Sequence, residues 1–173
     1  MQNASEELVD IVDQHDNVLY RCTRKEMRAK VLRHRAVFIA VVNSAGELLV
    51  HQRSATKDLW PSWWDIAVGG VVSAGEGYDA AALRELDEEV GIAGVPLVEL
   101  GVGTYSDEEV SLIGKCFMVK YDGPLVLRDG EVVATEWVSQ SDLQQRLLER
   151  NFLPDSKELL LPTLQKMWNE VTP

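Results

Sequence analysis

The sequence predicts an α/β domain, a mixed β-sheet with helices on its faces. Two observations lead there. Short β-branched apolar runs alternate with helix-period segments along the chain. One of those segments, 78–90, repeats its apolar residues at helical spacing and is followed by Gly91, a residue suited to a helix C-cap. A chain of 173 residues is the size of one domain with a proper core, so 1–173 is read as a single unit.

The elements follow in order. Residues 8–12 alternate apolar and polar, 13–17 are turn-rich and 18–21 read as a returning strand, which gives an N-terminal hairpin over about 8–22. Thr23 followed by Glu26 has the spacing of a capping box, so a short helix is expected to about Leu32. Residues 36–43 are a β-branched apolar strand expected to be buried on both faces, and 47–53 return from the Ser44-Ala45-Gly46 turn. Residues 54–65, SATKDLWPSWWD, read as a loop broken by Pro61. Strands are expected at 66–72, 96–106, 113–121 and briefly at 136–138. A helix near 141–150 is capped by Ser139 or Ser141, and a last one is capped by Asp155 or Ser156. Pro162 predicts a break or kink in that last helix.

The chemistry is concentrated in 70–92, GVVSAGEGYDAAALRELDEEVGI. Wound as a helix at roughly 100° per residue, Glu85, Glu88 and Glu89 share one arc, and Leu83, Leu86 and Val90 take the opposite, buried one. Like charges three and four residues apart repel, so the cluster makes sense if a cation neutralises it. Hard divalent ions take oxygen ligands, and magnesium is held by a few carboxylates together with substrate phosphates. The residues therefore point to a Mg2+ site, with Mn2+ as a substitute, acting on a phosphorylated substrate.

This segment resembles the signature of the Nudix hydrolases at Gly70, Glu76, Arg84, Glu85, Glu88, Glu89 and Gly91. The resemblance implies an α/β/α Nudix sandwich and cleavage of a diphosphate bridge by attack of water on phosphorus. It implies Glu85, Glu89, Glu88 and the backbone carbonyl of Gly70 as metal ligands. Arg84 would fix the glutamates and Glu76 would support that network. Glu89, with Glu88 and Arg84 beside it, is the catalytic candidate. A general base outside the motif is sought among Glu108, Glu109 and Glu131. HRAVFIAVVN and HQRSATKDLWPSWWD are similar to the isopentenyl-diphosphate isomerase-like branch. That branch raises proton transfer as an alternative, but Gly69 stands where the isomerases carry their cysteine and Val71 where they carry a histidine. His34 matches one of their metal histidines, while Met27 occupies another. A second alternative is a Nudix-fold module that binds a nucleotide without cleaving it.

A diphosphate also needs cations from the protein. Arg53, Lys57, His34, Arg35 and Lys115 are the candidates, Arg for bidentate and Lys for point-charge contact. Arg53→Ala is expected to raise KM with little loss of fold. Trp60, Trp63 and Trp64 either pack the loop against the core or offer a stacking surface, and Trp64 is taken as a substrate candidate. His15 and His51 are assigned no catalytic role.

The net charge of -11 excludes a general nucleic-acid binder, which carries a basic stripe, while leaving a nucleotide open as substrate. The start MQNASEELVD reads as neither signal nor transit peptide, and the apolar run 37–42 is too short to cross a bilayer. Cys22 and Cys116 lack CxxC partners and read as reduced thiols of a cytoplasmic protein. The expected partner is a small diphosphate substrate. The N-terminal hairpin leaves open whether it packs on its own domain or on a second copy in a homodimer.

Overall fold

The computed structural model describes residues 4–171. Its sheet is mixed and is organised around β3 (His34–Val42), which runs parallel to β8 (Ser111–Lys120) and antiparallel to β6 (Val68–Val71). β4 (Leu48–Arg53) turns back from β3 and pairs with β9 (Val132–Val138) and with the two-residue β5 (Trp64–Asp65). β7 (Val98–Ser106) lies antiparallel to β8.

Both faces of β3 are buried, as its uninterrupted apolar sequence leads one to expect. Val37, Ile39 and Val41 join Ala82, Leu86 and Val90 of α2 (Tyr78–Val90) on one side. Ala36, Phe38 and Ala40 join Leu160 and Leu164 of α4 (Pro154–Val171) on the other. The result is an α/β/α sandwich. α3 (Gln140–Glu149) starts at Ser139, whose Oγ accepts from the Asp142 N–H at 3.2 Å. Among the described residues no helix is long and apolar enough to cross a membrane.

The N-terminal hairpin, β1 (Leu8–Val12) and β2 (Val18–Thr23), packs on its own domain. β1 meets β3 at Ile11 and His34, and Val9 and Ile11 are buried with Met27 and Val71. α1 (Arg24–Ala29) follows, with Thr23 Oγ accepting from the Glu26 N–H at 3.2 Å. The helix stops short of Leu32. Val31 takes a left-handed backbone, φ 51°, and Glu26 bonds Lys30 at 2.6 Å instead of closing the capping box.

Three more expectations are corrected. β9 starts at Val132, because its alternation of buried and exposed residues extends through Ala134 and Thr135. α4 runs unbroken through Pro162. Pro162 and Glu158 both lie on the exposed face, so water can satisfy the Glu158 carbonyl that loses its partner. That helix begins at Pro154, a favoured first position, so Asp155 and Ser156 lie in its first turn and not before it.

Candidate active site

The site forms where β6 meets α2. β6 carries two adjacent glycines, and the close approach of other groups explains them. A Cβ on Gly69 would lie 2.0 Å from the Val37 carbonyl oxygen, and one on Gly70 would lie 2.6 Å from Glu85 Oε1. Glycine alone lets the strand pass this close. Gly91 ends α2 in the left-handed region, φ 70°, with its N–H on the Asp87 carbonyl at 3.1 Å.

The helix faces differ from the sequence expectation. Glu85 and Glu89 are themselves buried, at 8% and 2% exposure, on the same side as Ala81, Ala82, Leu86 and Val90. Leu83, expected in the buried stripe, is exposed. It falls just past the edge of the arc centred on the two glutamates. The carboxylates and the apolar residues thus share one face, turned to β6.

Arg84 organises the acids. Its Nε and Nη2 reach the two Glu76 oxygens, each at 2.9 Å, and its Nη1 donates to Glu85 Oε1 at 2.8 Å and to Glu88 Oε2 at 3.1 Å. A planar five-donor fork can hold three carboxylates at once, which a lysine cannot. Burial pushes Glu76 up, but the bonds from Arg84 and the Ser73 N–H outweigh it and leave the carboxyl below its ordinary value. Glu88 is exposed on the rim of the cleft.

Glu85 and Glu89 have the opposite balance. Burial raises both, Arg84 only partly offsets it at Glu85, and the Glu85 charge adds to it at Glu89. Glu89 receives a long bond from the Gly69 N–H, 3.4 Å, and Lys57 Nζ lies 3.9 Å from its Oε1. Lys57 is itself paired with Glu131. Two buried, mutually repelling carboxylates beside the paired glycines of β6 suit a divalent ion, which removes both penalties. Among the described residues no three acidic, histidine or cysteine side chains converge as a ready cage. Glu85 and Glu89 are therefore the pair that could hold such an ion, with remaining positions left to backbone oxygen, water and phosphate as magnesium prefers.

A cleft runs from Glu85, Glu88, Arg84 and Glu131 past Lys57, Gly69 and Gly70 into an inner cavity. Of the sequence-proposed cations, Lys57, Arg53 and His34 line that cavity. Arg35 is elsewhere, bonded to Asp16 at 2.6 Å and stacked over Tyr78, where it anchors the hairpin. Lys115 is held by Asp79 and Glu99, each at 3.1 Å. Trp64 packs on Phe152 and under Arg150, whose guanidinium carbon is 4.2 Å from the ring centroid, so it supports the loop. Trp60, stacked on Trp63, is the tryptophan that lines the cavity. Glu108 and Glu109 lie in the exposed β7–β8 turn, while Glu131 reaches the cleft.

Arg24 and Arg28 also line the cavity and had no sequence signal beyond their four-residue spacing on a capped helix. Both reach Asp58, at 3.7 and 3.1 Å. Arg53 is less free than the sequence suggested. Its Nη2 donates to the Leu59 carbonyl at 3.1 Å, and its Nε is buried without a partner among the described residues. Arg53→Ala is therefore expected to loosen the tryptophan loop as well as raise KM. A fall of about 2–4 °C in Tm, for about 1 kcal/mol in a domain of this size, checks the structural part.

A model of the NUDIX domain matches residues 32–160. The chain is 40% identical over 157 residues to the uncharacterized Nudix hydrolase YfcD of Escherichia coli, covering 91% of this chain and 86% of that protein. The solved structure of DR0079 from Deinococcus radiodurans superposes with a TM-score of 0.76 at 26% identity, covering 91% of this chain and 99% of that one. The NUDIX domain of Shewanella oneidensis NrtR, solved with ADP ribose, shares the fold at 16% identity and a TM-score of 0.63, covering 84% and 99%.

Proposed function

The chain belongs to the NUDIX family, and from that premise we propose that it is a magnesium-dependent cytoplasmic hydrolase of a diphosphate bridge in a nucleoside diphosphate-linked or related small molecule. The observation that carries this reading is the pair of buried carboxylates, Glu85 and Glu89, facing the bare Gly70 strand at the mouth of a cation-lined cavity.

Glu85, Glu89 and the Gly70 carbonyl would hold the ion, with Glu88 at the rim. When bound, magnesium supplies positive charge against the phosphate oxygens and favours the attack of water. The chain's own residues do the rest. Lys57 and Arg53 lie beside the carboxylates and bind diphosphate oxygens, and Arg24 and Arg28 extend that positive wall. Arg84 keeps Glu85 and Glu88 from swinging apart, which holds the reacting groups in register. Glu89 or Glu131 takes the proton of the attacking water, and Lys57 positions both.

Proton transfer of the isomerase kind lacks its cysteine here. Gly69 has no room for a side chain. Both cysteines are buried, and burial raises Cys22 and pushes Cys116 up to about 11. Incubation with magnesium and a panel of nucleoside diphosphate derivatives, nucleotide sugars, nucleoside triphosphates and prenyl diphosphates tests the proposal. Release of phosphate or a monophosphate from at least one, abolished by EDTA, is expected. An inert panel with ligand-dependent thermal stabilisation would support a binding module instead.

A further inference from the structure

The N-terminal hairpin does more than extend one edge of the sheet. β1 and β2 precede the 32–160 span of the NUDIX domain, yet the hairpin holds the loop that leads from β6 into α2. Three successive loop residues donate to residues 7–10. Ser73 Oγ donates to Glu7 Oε1, the Ala74 N–H to the Leu8 carbonyl at 2.8 Å and the Gly75 N–H to Asp10 Oδ2 at 2.8 Å. Just beyond, the Tyr78 hydroxyl donates to Asp16 Oδ2 in the hairpin turn at 3.1 Å.

The held loop is a tight turn that ends on Glu76. The Glu76 N–H donates to the Ser73 carbonyl at 3.0 Å, and Gly75 takes φ 77°, as the third position of a type II turn requires. Glu76 Oε2 in turn accepts from the Ser73 N–H at 3.0 Å. The turn therefore fixes both the backbone and the carboxylate of Glu76. That carboxylate takes two donors of Arg84, and Arg84 holds Glu85 and Glu88. Position passes from the hairpin to the acids through one turn and one guanidinium.

Asp10 grips this turn at the residue next to Glu76. It is 5% exposed, and both its oxygens are engaged, Oδ1 by Arg21 Nε at 2.7 Å and Oδ2 by Gly75. Burial pushes its pKa up, but the Gly75 N–H and Arg21 outweigh it and leave the carboxyl below its ordinary value. The group is thus a fixed anion. A strand that needed only packing would use an apolar residue here, as it does at Val9 and Ile11, because a buried charge is costly to keep.

We propose that Asp10 is a positioning residue for the hydrolytic site: it seats the Ser73–Glu76 turn so that Glu76, through Arg84, keeps Glu85 and Glu88 in register. The inference rests on the hydrolase reading for what those glutamates do, and it gives the hairpin a share in the site. Groups that orient the ligands of a metal cost about 10–100-fold in affinity or activity when removed, and Asp10 acts at a further remove, so the lower end applies.

The test compares three variants of the full chain. Asp10→Ala removes both acceptors. Asp10→Asn removes the charge but keeps an oxygen for the Gly75 N–H, while Arg21, whose side chain is 57% exposed, turns to water. Ile11→Val thins the buried face of the same strand without touching the turn, for a Tm loss of about 2–4 °C. Exchange of the Arg84 Nε–H with water is followed by NMR in the metal-free protein, with Arg84→Lys to assign the signal. Mn2+ affinity is measured by electron paramagnetic resonance, and kinetics use magnesium with the best substrate of the panel. In Asp10→Ala the Arg84 proton exchanges at least about 10-fold faster, the Kd for Mn2+ rises about 10-fold and kcat falls about 10-fold with KM moved less. Asp10→Asn restores most of each. Ile11→Val melts lower and moves none of them.

Parent-like Arg84 exchange in Asp10→Ala overturns the inference. So do equal losses in Asp10→Ala and Ile11→Val, which make Asp10 a brace of the fold alone. An Asn variant as impaired as the Ala variant also overturns it, because the charge and not the grip on Gly75 would then act. Should Asp10→Ala fail to fold, Asp10→Val, which keeps the strand packed and offers no acceptor, takes its place. No turnover by the parent on any substrate overturns the hydrolase reading instead. Arg84 exchange, which needs neither metal nor substrate, then decides the inference by itself.

Discussion

Glu89→Gln lowers turnover by about 10²–10⁴-fold and raises the thermal stability of the metal-free protein. Both effects come from the same geometry. Glu89 is 2% exposed, lies beside the buried Glu85 and has a long bond from the Gly69 N–H and the charges of Lys57 and Arg53 to offset its own. An isosteric amide removes the repulsion and keeps the packing, so the apo protein gains about 1 kcal/mol, or about 2–4 °C in Tm. The same amide is a poor ligand for a hard cation and a poor proton acceptor, which sets the scale of the rate loss. Opposite signs for stability and activity are what a functional carboxylate gives. Steady-state rates with magnesium and melting curves in EDTA check the pair of effects. A variant that melts lower and turns over as fast as the parent would place Glu89 among structural residues. Glu131→Gln is the companion. If Glu131 is the base, its loss lowers kcat and leaves the apo stability near the parent's, since that side chain is 43% exposed.

Gly69→Ala costs the fold. A Cβ there would stand 2.0 Å from the carbonyl oxygen of Val37 and 2.9 Å from its carbon. These are backbone atoms of β3, the strand on which β8, β6 and both helical layers depend. No side-chain rotation relieves the contact, so β6 must separate from β3. The expected loss exceeds about 4 kcal/mol, a large share of the 5–15 kcal/mol that holds a typical domain. Circular dichroism and a denaturant midpoint measure it. Gly70→Ala provides the contrast. Its nearest neighbours are the atoms of the Glu85 carboxyl, 2.6–2.9 Å away, at the far end of a side chain. That chain can move, so Gly70→Ala folds and instead displaces Glu85. Two adjacent glycines, one failing in folding and the other in function, separate the two reasons for their presence. Equal, mild destabilisation at both positions would refute the close-packing account of β6.

The elements with a strong period or a strong punctuation mark were legible in the chain. The double burial of β3 could be read from its continuous apolar run, α2 from its spacing and Gly91, and the hairpin from its turn. Elements set by tertiary contacts were not. β9 extends four residues earlier than its sequence suggests because β4 supplies a partner. α4 ignores Pro162 because the unpaired carbonyl faces water. In the site, the acidic cluster was visible because like charges at helical spacing are unusual. Its direction was not, since a hydrophobic count places Glu85 and Glu89 opposite the core when they in fact lie within it. The cations show the limit most plainly. Arg35 and Lys115 are as basic as Arg53 and Lys57, and only the fold reveals that Asp16, Asp79 and Glu99 already hold them. Arg24 and Arg28 carried no mark of a site, because convergence from separate elements leaves no local pattern.

The central claim is that Glu85, Glu89 and the Gly70 carbonyl gather one divalent ion. Crystals of the full chain grown with manganese, with data collected at the manganese absorption edge, test it most directly. An anomalous peak within about 2.0–2.3 Å of both carboxylates and of the Gly70 oxygen is the predicted result. A peak bound only elsewhere, with Arg84 still bridging Glu85 and Glu88 and no density between Glu85 and Glu89, would contradict it.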